Sequence, residues 1–511
     1  MAQLLRTLLL IALGWPALAG AQVSFVTTTG TNANYANGTI TANFLPPANS
    51  SQFDYINERF PFTQSATLSS SGVWSLNVAD TSTLKPAGSQ WQINLCSQKT
   101  FTAPPTCFLV TAPVTCVNNG SCSGSTLNLT SSFAGAPVPG PAAAVSFGLN
   151  AALMPHWTAC TAKVKINTGN CRVMAVGDST TYGSFSTNTS DTGDLTLASY
   201  PTRLSQYLNS AILPAQRDSF MGAGAGQGAG LGNDGRVVMG TGWSTLNAPS
   251  TGGLLFTASS ATTPLAFTPL DQVNQFVLWF VSNSGGIGSF AVDAGTATTF
   301  SSGGAGGLHS VTIPAGALGT HTLNMNWVSG GPVFVVGVEA SNTAIGCVQI
   351  INAGIPGSGA GTVAGISWAA SNSPWSPLLS VPIQAPDVVL LDLGINNWTG
   401  VNSTTVAVYT AAMQQIITSY KATSDVVLVT PAPSSIANVS LATQAQYVNA
   451  MRQLAAANNL PIVDNWNRWG SFELKNPAPF LFYNDVLHPG PNGYSDFAQS
   501  IATQLLSVAG H

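Results

Sequence analysis

From Cys171 onward the chain alternates short, almost uninterrupted apolar runs with amphipathic stretches, and that alternation leaves few folds open. The runs Arg172 to Val176, Val348 to Asn352, Val388 to Leu393, Val426 to Thr430 and Pro461 to Val463 have the length of strands and no polar face. Between them Tyr409, Met413, Ile416, Ile417 and Tyr420 recur at helical spacing, as do Tyr447, Met451, Leu454 and Ala455. Strands apolar on both faces, separated by helices apolar on one, predict a parallel sheet covered on both sides. The expected architecture is a doubly wound, flavodoxin-like α/β domain of three layers.

The rest of the chain has a different texture. Residues 1–21 carry one early cation, Arg6, an apolar core from Leu8 to Leu13 and the small-residue site Ala19-Gly20-Ala21, the pattern of a cleaved secretory leader. The apolar run is shorter than the ~20 residues that a membrane span requires, so no integral membrane segment is expected after cleavage. Residues 22–135 are rich in Thr, Ser and Asn, with alternating runs such as Val73 to Val78 and Gln90 to Leu95, which predict a small antiparallel β-sandwich. Residues 136–165 read as a linker, stiffened at the start by Pro137, Pro139 and Pro141.

The α/β pattern is itself interrupted. It occupies residues 166–213 and 346–511, and the about 130 residues between have too little helical character for the rhythm and too much length for a structureless loop. Strand candidates at Val273 to Val281, Ser289 to Val292 and Thr322 to Trp327 predict an inserted β-rich domain over 214–345. Its glycine-rich start, Gly222 to Gly235, contains a G-x-G-x-x-G spacing, but it follows no strand and opens no helix, so a surface loop is expected there and not a dinucleotide site.

Composition removes whole classes of function. Only 6% of residues are charged and the formal net charge is -4, so there is no basic face for nucleic acid or anionic lipid. Seven cysteines fit an oxidising compartment, and their spacing suggests the local pairs Cys96 with Cys107, Cys116 with Cys122 and Cys160 with Cys171, leaving Cys347 as a buried thiol. No C-x-x-C pair and no cofactor motif occurs, so neither a metal nor a cofactor is expected.

Chemistry concentrates at two places. The run Gly177-Asp178-Ser179-Thr180-Thr181-Tyr182-Gly183 follows an apolar strand, where an open α/β sheet can hold a nucleophile at the strand's carboxyl end. Far downstream, Asp485-Val486-Leu487-His488 offers a base and an orienting carboxylate three residues apart. Of the five histidines, at 156, 309, 321, 488 and 511, His488 alone has a carboxylate three residues before it within the α/β part. The pattern points to a serine hydrolase; the bland alternative is that Asp178-Ser179 caps the following helix without chemistry.

Four segments in order, Gly177-Asp178-Ser179, Asn352-Ala353-Gly354-Ile355-Pro356-Gly357, Gly394-Ile395-Asn396-Asn397 and Asp485-x-x-His488, resemble the motif blocks of the GDSL or SGNH hydrolases. The resemblance implies Ser179 as nucleophile, His488 as base and Asp485 as its orienting partner. It further implies an oxyanion hole made by the Ser179 N–H, the Gly354 N–H and the Asn396 side-chain amide. Two positions depart from the family pattern: Thr180 stands where leucine is usual, and Asn397 where an aspartate commonly follows the oxyanion asparagine. No G-x-S-x-G occurs, which argues against the α/β-hydrolase nucleophile elbow.

The family covers carbohydrate acetylesterases and lipid esterases alike, so the substrate rests on context. A leader, two accessory β-domains and a low-charge surface favour short acetyl esters on an extracellular polysaccharide. A lipid or aryl esterase is the alternative, as is a catalytically silent carbohydrate-binding protein. Trp398 could wall the pocket or pack in the core, and Trp243, Trp279 and Trp327 could stack on sugar rings or fill the insertion.

Overall fold

The computed structural model describes residues 25–31, 39–45, 63–71, 73–79, 90–96, 107–112, 126–128, 151–187, 197–223, 234–260, 263–361, 366–399, 404–477 and 481–510. The chain divides into two compact units, Met1–Ala144 and Val145–His511.

The first unit is built from strands alone among its described residues. Val73–Ala79, Phe25–Thr31 and Thr126–Asn128 form one sheet, and Thr63–Thr67, Thr39–Leu45, Gln90–Cys96 and Cys107–Ala112 form another. All pairings are antiparallel except that of Phe25–Thr31 with Thr126–Asn128. Ile40 and Trp74 are buried, as alternating patterns require. Register sets Cys96 opposite Cys107. The expected leader and the Cys116 and Cys122 pair lie outside the described residues.

In the second unit, six parallel strands run in the order Ile462–Val463, Asp425–Val429, Val388–Asp392, Cys171–Gly177, Val348–Gly354, Ala215–Gln216. Alternate residues sort to opposite faces. Met174, Val176, Ile351, Val389, Leu391, Val426 and Leu428 join one core with the helices Val406–Tyr420 and Leu441–Asn458. Val173, Ala175, Ile350, Val388, Leu390, Val427 and Val429 join another, with Tyr200–Ser210 and Pro491–Ala509. Two buried faces explain why these strands carry no polar residues until their ends. Strand order reverses between Cys171–Gly177 and Val388–Asp392, so the carboxyl ends of those strands flank the switch point where such sheets place ligands.

The segment expected as a linker ends otherwise. Its last part forms the helix Pro155–Lys165, whose Trp157 is fully buried and donates its indole N–H to Leu505 O at 3.0 Å. A disulfide joins Cys160 of this helix to Cys171 of the first parallel strand. Cys347 is free and buried, and burial pushes its thiol up to about 12.

The described residues between Gln216 and Val348 form β-structure. Trp243–Ser250, Gly253–Ala258, Val333–Ser341, Val273–Ser282 and Gly307–Gly319 form one sheet in that order, with Phe220–Met221 also on Val333–Ser341. Val237–Val238, Leu265–Phe267, Leu323–Gly330, Gly286–Val292 and Thr298–Ser301 form the other. Phe256, Leu278 and Val335 of the first sheet share a core with Leu265, Phe290 and Met325 of the second, and that core is continuous with one face of the parallel sheet. Trp243 and Trp279 are 6% and 8% exposed, so both are mostly packed into the insertion, and Trp279 also borders an open cavity. Trp327 is half-buried and donates to Gly331 O at 3.0 Å. Among the described residues, no helix is long and apolar enough to cross a membrane.

Candidate active site

The strand Cys171–Gly177 stops where a side chain no longer fits. A Cβ at Gly177 would stand 1.9 Å from Thr181 Oγ1 and 2.7 Å from Asp392 O, so only glycine lets the chain turn tightly into the next element. That element is the one-turn helix Ser179–Tyr182. Asp178 caps it by accepting the Thr180 N–H at 2.9 Å, and Gly183, at φ 108°, ends it. Ser179 therefore opens a helix at the carboxyl end of a central strand, with its backbone N–H among those a helix N-terminus leaves unpaired.

The turn that carries His488 is fixed from both sides. Asn484 N–H donates to His488 O at 3.1 Å, and Ser435 N–H donates to Val486 O at 2.8 Å. Asp485 Oδ1 accepts the Leu487 N–H at 2.7 Å and also the His488 N–H. Its other oxygen lies 2.9 Å from His488 Nδ1, and His488 Nε2 lies 2.9 Å from Ser179 Oγ. Sequence positions 309 residues apart thus meet in one hydrogen-bonded line. Burial works to raise the Asp485 carboxyl, but the His488 hydrogen bond and charge, with the two backbone N–H groups, outweigh it and hold Asp485 below the ordinary carboxylate value. Phe185 stacks on the imidazole with ring centroids 5.0 Å apart, and it does so from a left-handed backbone at φ 64°. Phe185 has no sequence signature, because its place depends on a strained conformation that no motif encodes.

The second block is built differently from expectation. Gly354 closes the strand Val348–Gly354 in register with Gly177, and a Cβ there would lie 2.2 Å from Tyr182 N. Its N–H is donated to Asn352 Oδ1 at 3.0 Å. Gly354 is glycine because the Ser179 helix packs onto it, and its N–H serves Asn352 instead of pointing at a substrate oxygen. Three residues on, Gly357 has φ 75° and no atom within 4 Å of where a Cβ would stand. The turn that bears it lies against the Ser179 strand: Ile355 N–H and Ser358 Oγ–H donate to Gly177 O at 3.0 and 3.2 Å. Asn396 Nδ2 donates to Ser358 O at 2.9 Å, which brings that amide to the same turn.

Asn397 is fully buried, and its side chain makes three hydrogen bonds. Its Oδ1 accepts Ala360 N–H at 3.2 Å, and its Nδ2 donates to Gly361 O and Thr404 Oγ1, both at 3.1 Å. An aspartate there could not donate the last two, which accounts for the departure from the family pattern. Thr180 is 4% exposed. Trp398 is 3% exposed and packs edge-on to Tyr447 and Trp466, so it belongs to the core.

Two carboxyls lie beneath the nucleophile. Burial pushes Asp178 up to about 6, against the pull of the Thr180 N–H and His488. Asp392, in register with Gly177, is 1% exposed and has one oxygen unpartnered. Burial, together with the neighbouring Asp178, drives it well above the ordinary value.

The pattern of the GDSL-like Lipase/Acylhydrolase family matches residues 337–495, which hold the second, third and fourth blocks; Ser179 lies upstream, on the far side of the inserted sheets. Among solved structures, the fold is shared with a peptidoglycan O-acetylesterase at 18% identity and a TM-score of 0.52, over 71% of this chain and 98% of that one. A lipase/acylhydrolase from Enterococcus faecalis aligns at 23% identity and a TM-score of 0.26, over 32% and 77% of the two chains. An acetylxylan esterase from Geobacillus stearothermophilus aligns at 21% identity and a TM-score of 0.26, over 31% and 73%. No curated protein matches by sequence. The matched blocks fall on the strand ends that surround Ser179, so residues 337–495 carry the pattern of the GDSL-like lipase/acylhydrolase family within a fold shared with the peptidoglycan O-acetylesterase.

Proposed function

We propose that the protein is a secreted serine esterase that cleaves acetyl esters on an extracellular polysaccharide through an acyl-enzyme. The observation that carries the chemistry is the line Asp485 Oδ2, His488 Nδ1, His488 Nε2, Ser179 Oγ, each contact 2.9 Å. Neutral His488 accepts the Ser179 proton as Oγ bonds to the ester carbon, and the carbonyl π electrons move to oxygen. As the tetrahedral intermediate collapses, the alcohol leaves with the proton from His488, and water attacks the acyl-enzyme by the same route. Asp485 keeps the Nδ1 hydrogen facing it and stabilises the imidazolium.

The oxyanion is received by the Ser179 N–H, the second amide hydrogen of Asn396, whose first is held by Ser358 O, and the N–H of Gly357 in place of Gly354. The positive φ of Gly357 and the open space on its Cβ side support that exchange.

Support for the substrate class comes from the leader pattern, the 6% charge content and the acetyl-ester chemistry named for the peptidoglycan O-acetylesterase with which the fold is shared. A lipid ester is the second reading, because Val486 and Leu481, on or beside the His488 turn, are 51% and 54% exposed. A p-nitrophenyl acetate assay tests the chemistry: Ser179→Ala is expected to lose about 1,000-fold or more in kcat. Equal background turnover by both proteins refutes the mechanism. Acetate release from O-acetylated xylan and peptidoglycan, run beside a C2 to C12 acyl series, tests the substrate. Long-chain preference without glycan deacetylation overturns the acetyl-polysaccharide reading.

A further inference from the structure

The inserted sheets reach the catalytic turn through one buried ionic cluster. Asp218 and Asp234 lie outside the parallel sheet's own motif blocks, and both pair with Arg236. Arg236 Nη2 stands 2.8 Å from Asp234 Oδ2 and 3.0 Å from Asp218 Oδ2, with the three side chains 3%, 7% and 2% exposed. The guanidinium also donates to Asp218 O at 2.7 Å and Phe220 O at 2.8 Å, so it ties together the chain that leads into the first inserted strands. Burying two carboxylates on one cation is an expensive way to hold a seam, since apolar packing does so without the desolvation cost.

The cluster does not end in the insertion. Asp218 Oδ1 accepts two N–H groups, that of Phe220 at 3.1 Å and that of Asn352 at 3.0 Å. Asn352 stands near the end of the strand Val348–Gly354, and its side chain spans a gap: Oδ1 accepts the Gly354 N–H at 3.0 Å, and Nδ2 donates to Tyr182 O at 3.3 Å. Tyr182 is the last residue of the helix that Ser179 begins. The amide therefore brackets the nucleophile's helix to the segment that continues into the Gly357 turn. A cavity of about 20 Å³ at this seam, lined by Tyr182, Asp218, Arg236, Asn352 and Gly354, has room for about one water molecule.

We infer that Asp218, held in place by Arg236 and Asp234, is a positioning residue for the proposed esterase: it fixes Asn352, and through Asn352 sets the nucleophile helix against the oxyanion turn. The insertion is then part of the catalytic apparatus and not only an accessory domain. This inference rests on Ser179 acting as nucleophile. Neither Asp218 nor Asn352 touches the reacting atoms, so their loss acts through geometry, where a displacement of about 1 Å costs up to about 100-fold in rate.

The test uses the full chain and two readouts: kcat and KM on p-nitrophenyl acetate, and the rate at which a fluorophosphonate labels Ser179. Asp218→Asn, which keeps an acceptor for the Asn352 N–H, is expected to lower kcat about 10-fold, and Asp218→Ala about 100-fold, with KM within about threefold of wild type. Asn352→Ala removes the bracket without touching the ionic cluster, so it stands in if the Asp218 variants do not fold; its expected loss in kcat is also about 10-fold to 100-fold. The labelling rate should fall in parallel. Wild-type kcat and labelling in folded Asn352→Ala overturn the inference, as does an Asp218→Ala protein that melts early but turns over normally. A wild type that neither hydrolyses ester nor labels at Ser179 instead refutes the esterase reading, and the inference falls with it.

Discussion

Two buried acids join the inserted sheets to the α/β layer, at opposite ends of the same strands, and they are wired to different things. At the carboxyl ends, Asp218 is bound to Arg236 and Asp234 and holds the backbone of Asn352. At the amino ends, Glu339 of the strand Val333–Ser341 receives Arg172 through Nη2 at 2.7 and 2.8 Å, Trp279 Nε1 at 2.8 Å and Gln349 Nε2 at 3.4 Å. Arg172 is the second residue of the strand Cys171–Gly177, just beyond whose far end stands Ser179. An open cavity of about 660 Å³ lies beside Glu339, lined largely by neutral amides and hydroxyls such as Asn170, Gln275, Ser341 and Gln384. Both acids are almost fully buried, 2% and 3% exposed, so burial alone does not distinguish them. The difference lies in what the next hydrogen bond reaches: the catalytic bracket at one end, the seam itself at the other.

That contrast predicts a clean separation of effects. Glu339→Gln should lower stability by about 3 kcal/mol, because it removes one partner of a buried pair and sets an amide against the Arg172 guanidinium. The value sits at the low end for such pairs because Arg172 is 25% exposed and water can reach it. kcat on p-nitrophenyl acetate should stay within about twofold below the melting transition, since strain at the amino end of the strand must cross its whole hydrogen-bonded length to reach Ser179. Denaturant melts and kinetics on the same preparation check both halves. A kcat loss as large as that expected for Asp218→Ala would erase the distinction between the two seams.

The carboxyl end should also respond to pH. Burial raises Asp178 and Asp218 from 3.8 to about 6, and with help from Asp178 it holds Asp392 well above the ordinary carboxylate value. Between about pH 4 and 6 the folded protein holds protons on these carboxyls that the unfolded chain has released, so stability falls as pH rises through that window. Each shift of about two units corresponds to at most about 3 kcal/mol. Asp485, held low, works in the opposite sense: its contribution is present above pH 3.8 and is lost as pH falls through its folded value. Asp392→Asn removes the carboxyl with the unpartnered oxygen, so its melting temperature relative to wild type should improve steadily from pH 5 to pH 8. An offset independent of pH would show that Asp392 is ionised in the folded protein as it is in the unfolded chain, so that burial does not raise it.

Much of this architecture is legible in the sequence, and the reason is local. The five apolar runs predict the central strands to within a residue or two because burial on both faces leaves no choice of residue type. Ser179, Asp485 and His488 could be picked out because a nucleophile turn and a D-x-x-H pair are short-range patterns. What could not be read depends on which backbone approaches which. Gly354 and Gly357 look alike in a sequence, yet one receives the Ser179 helix and the other has a left-handed backbone with room for a Cβ. Asp234 sits in a stretch that reads as a glycine-rich surface loop, and it is 6% exposed because Arg236 draws it inward. The Asp218 to Asn352 link joins residues 134 apart and has no sequence signature at all.

The smallest expected effect bears on how the catalytic end is braced away from its ionic cluster. Asn397 links Ala360, Gly361 and Thr404 through neutral hydrogen bonds, and the turn it supports carries the Ser358 carbonyl that holds Asn396. Asn397→Asp restores the residue more usual in the family, but it loses both Nδ2 donations and sets a carboxylate against the Gly361 carbonyl. The unmet acceptors should cost about 1–2 kcal/mol, with a modest loss of kcat because the Asn396 amide shifts with its turn. If stability is unchanged or improves while kcat holds, the loop has a second arrangement that suits a carboxylate. The bracing of the catalytic end would then rest on Asp218 and Asn352 rather than on this amide, which makes the contrast between the two seams sharper still.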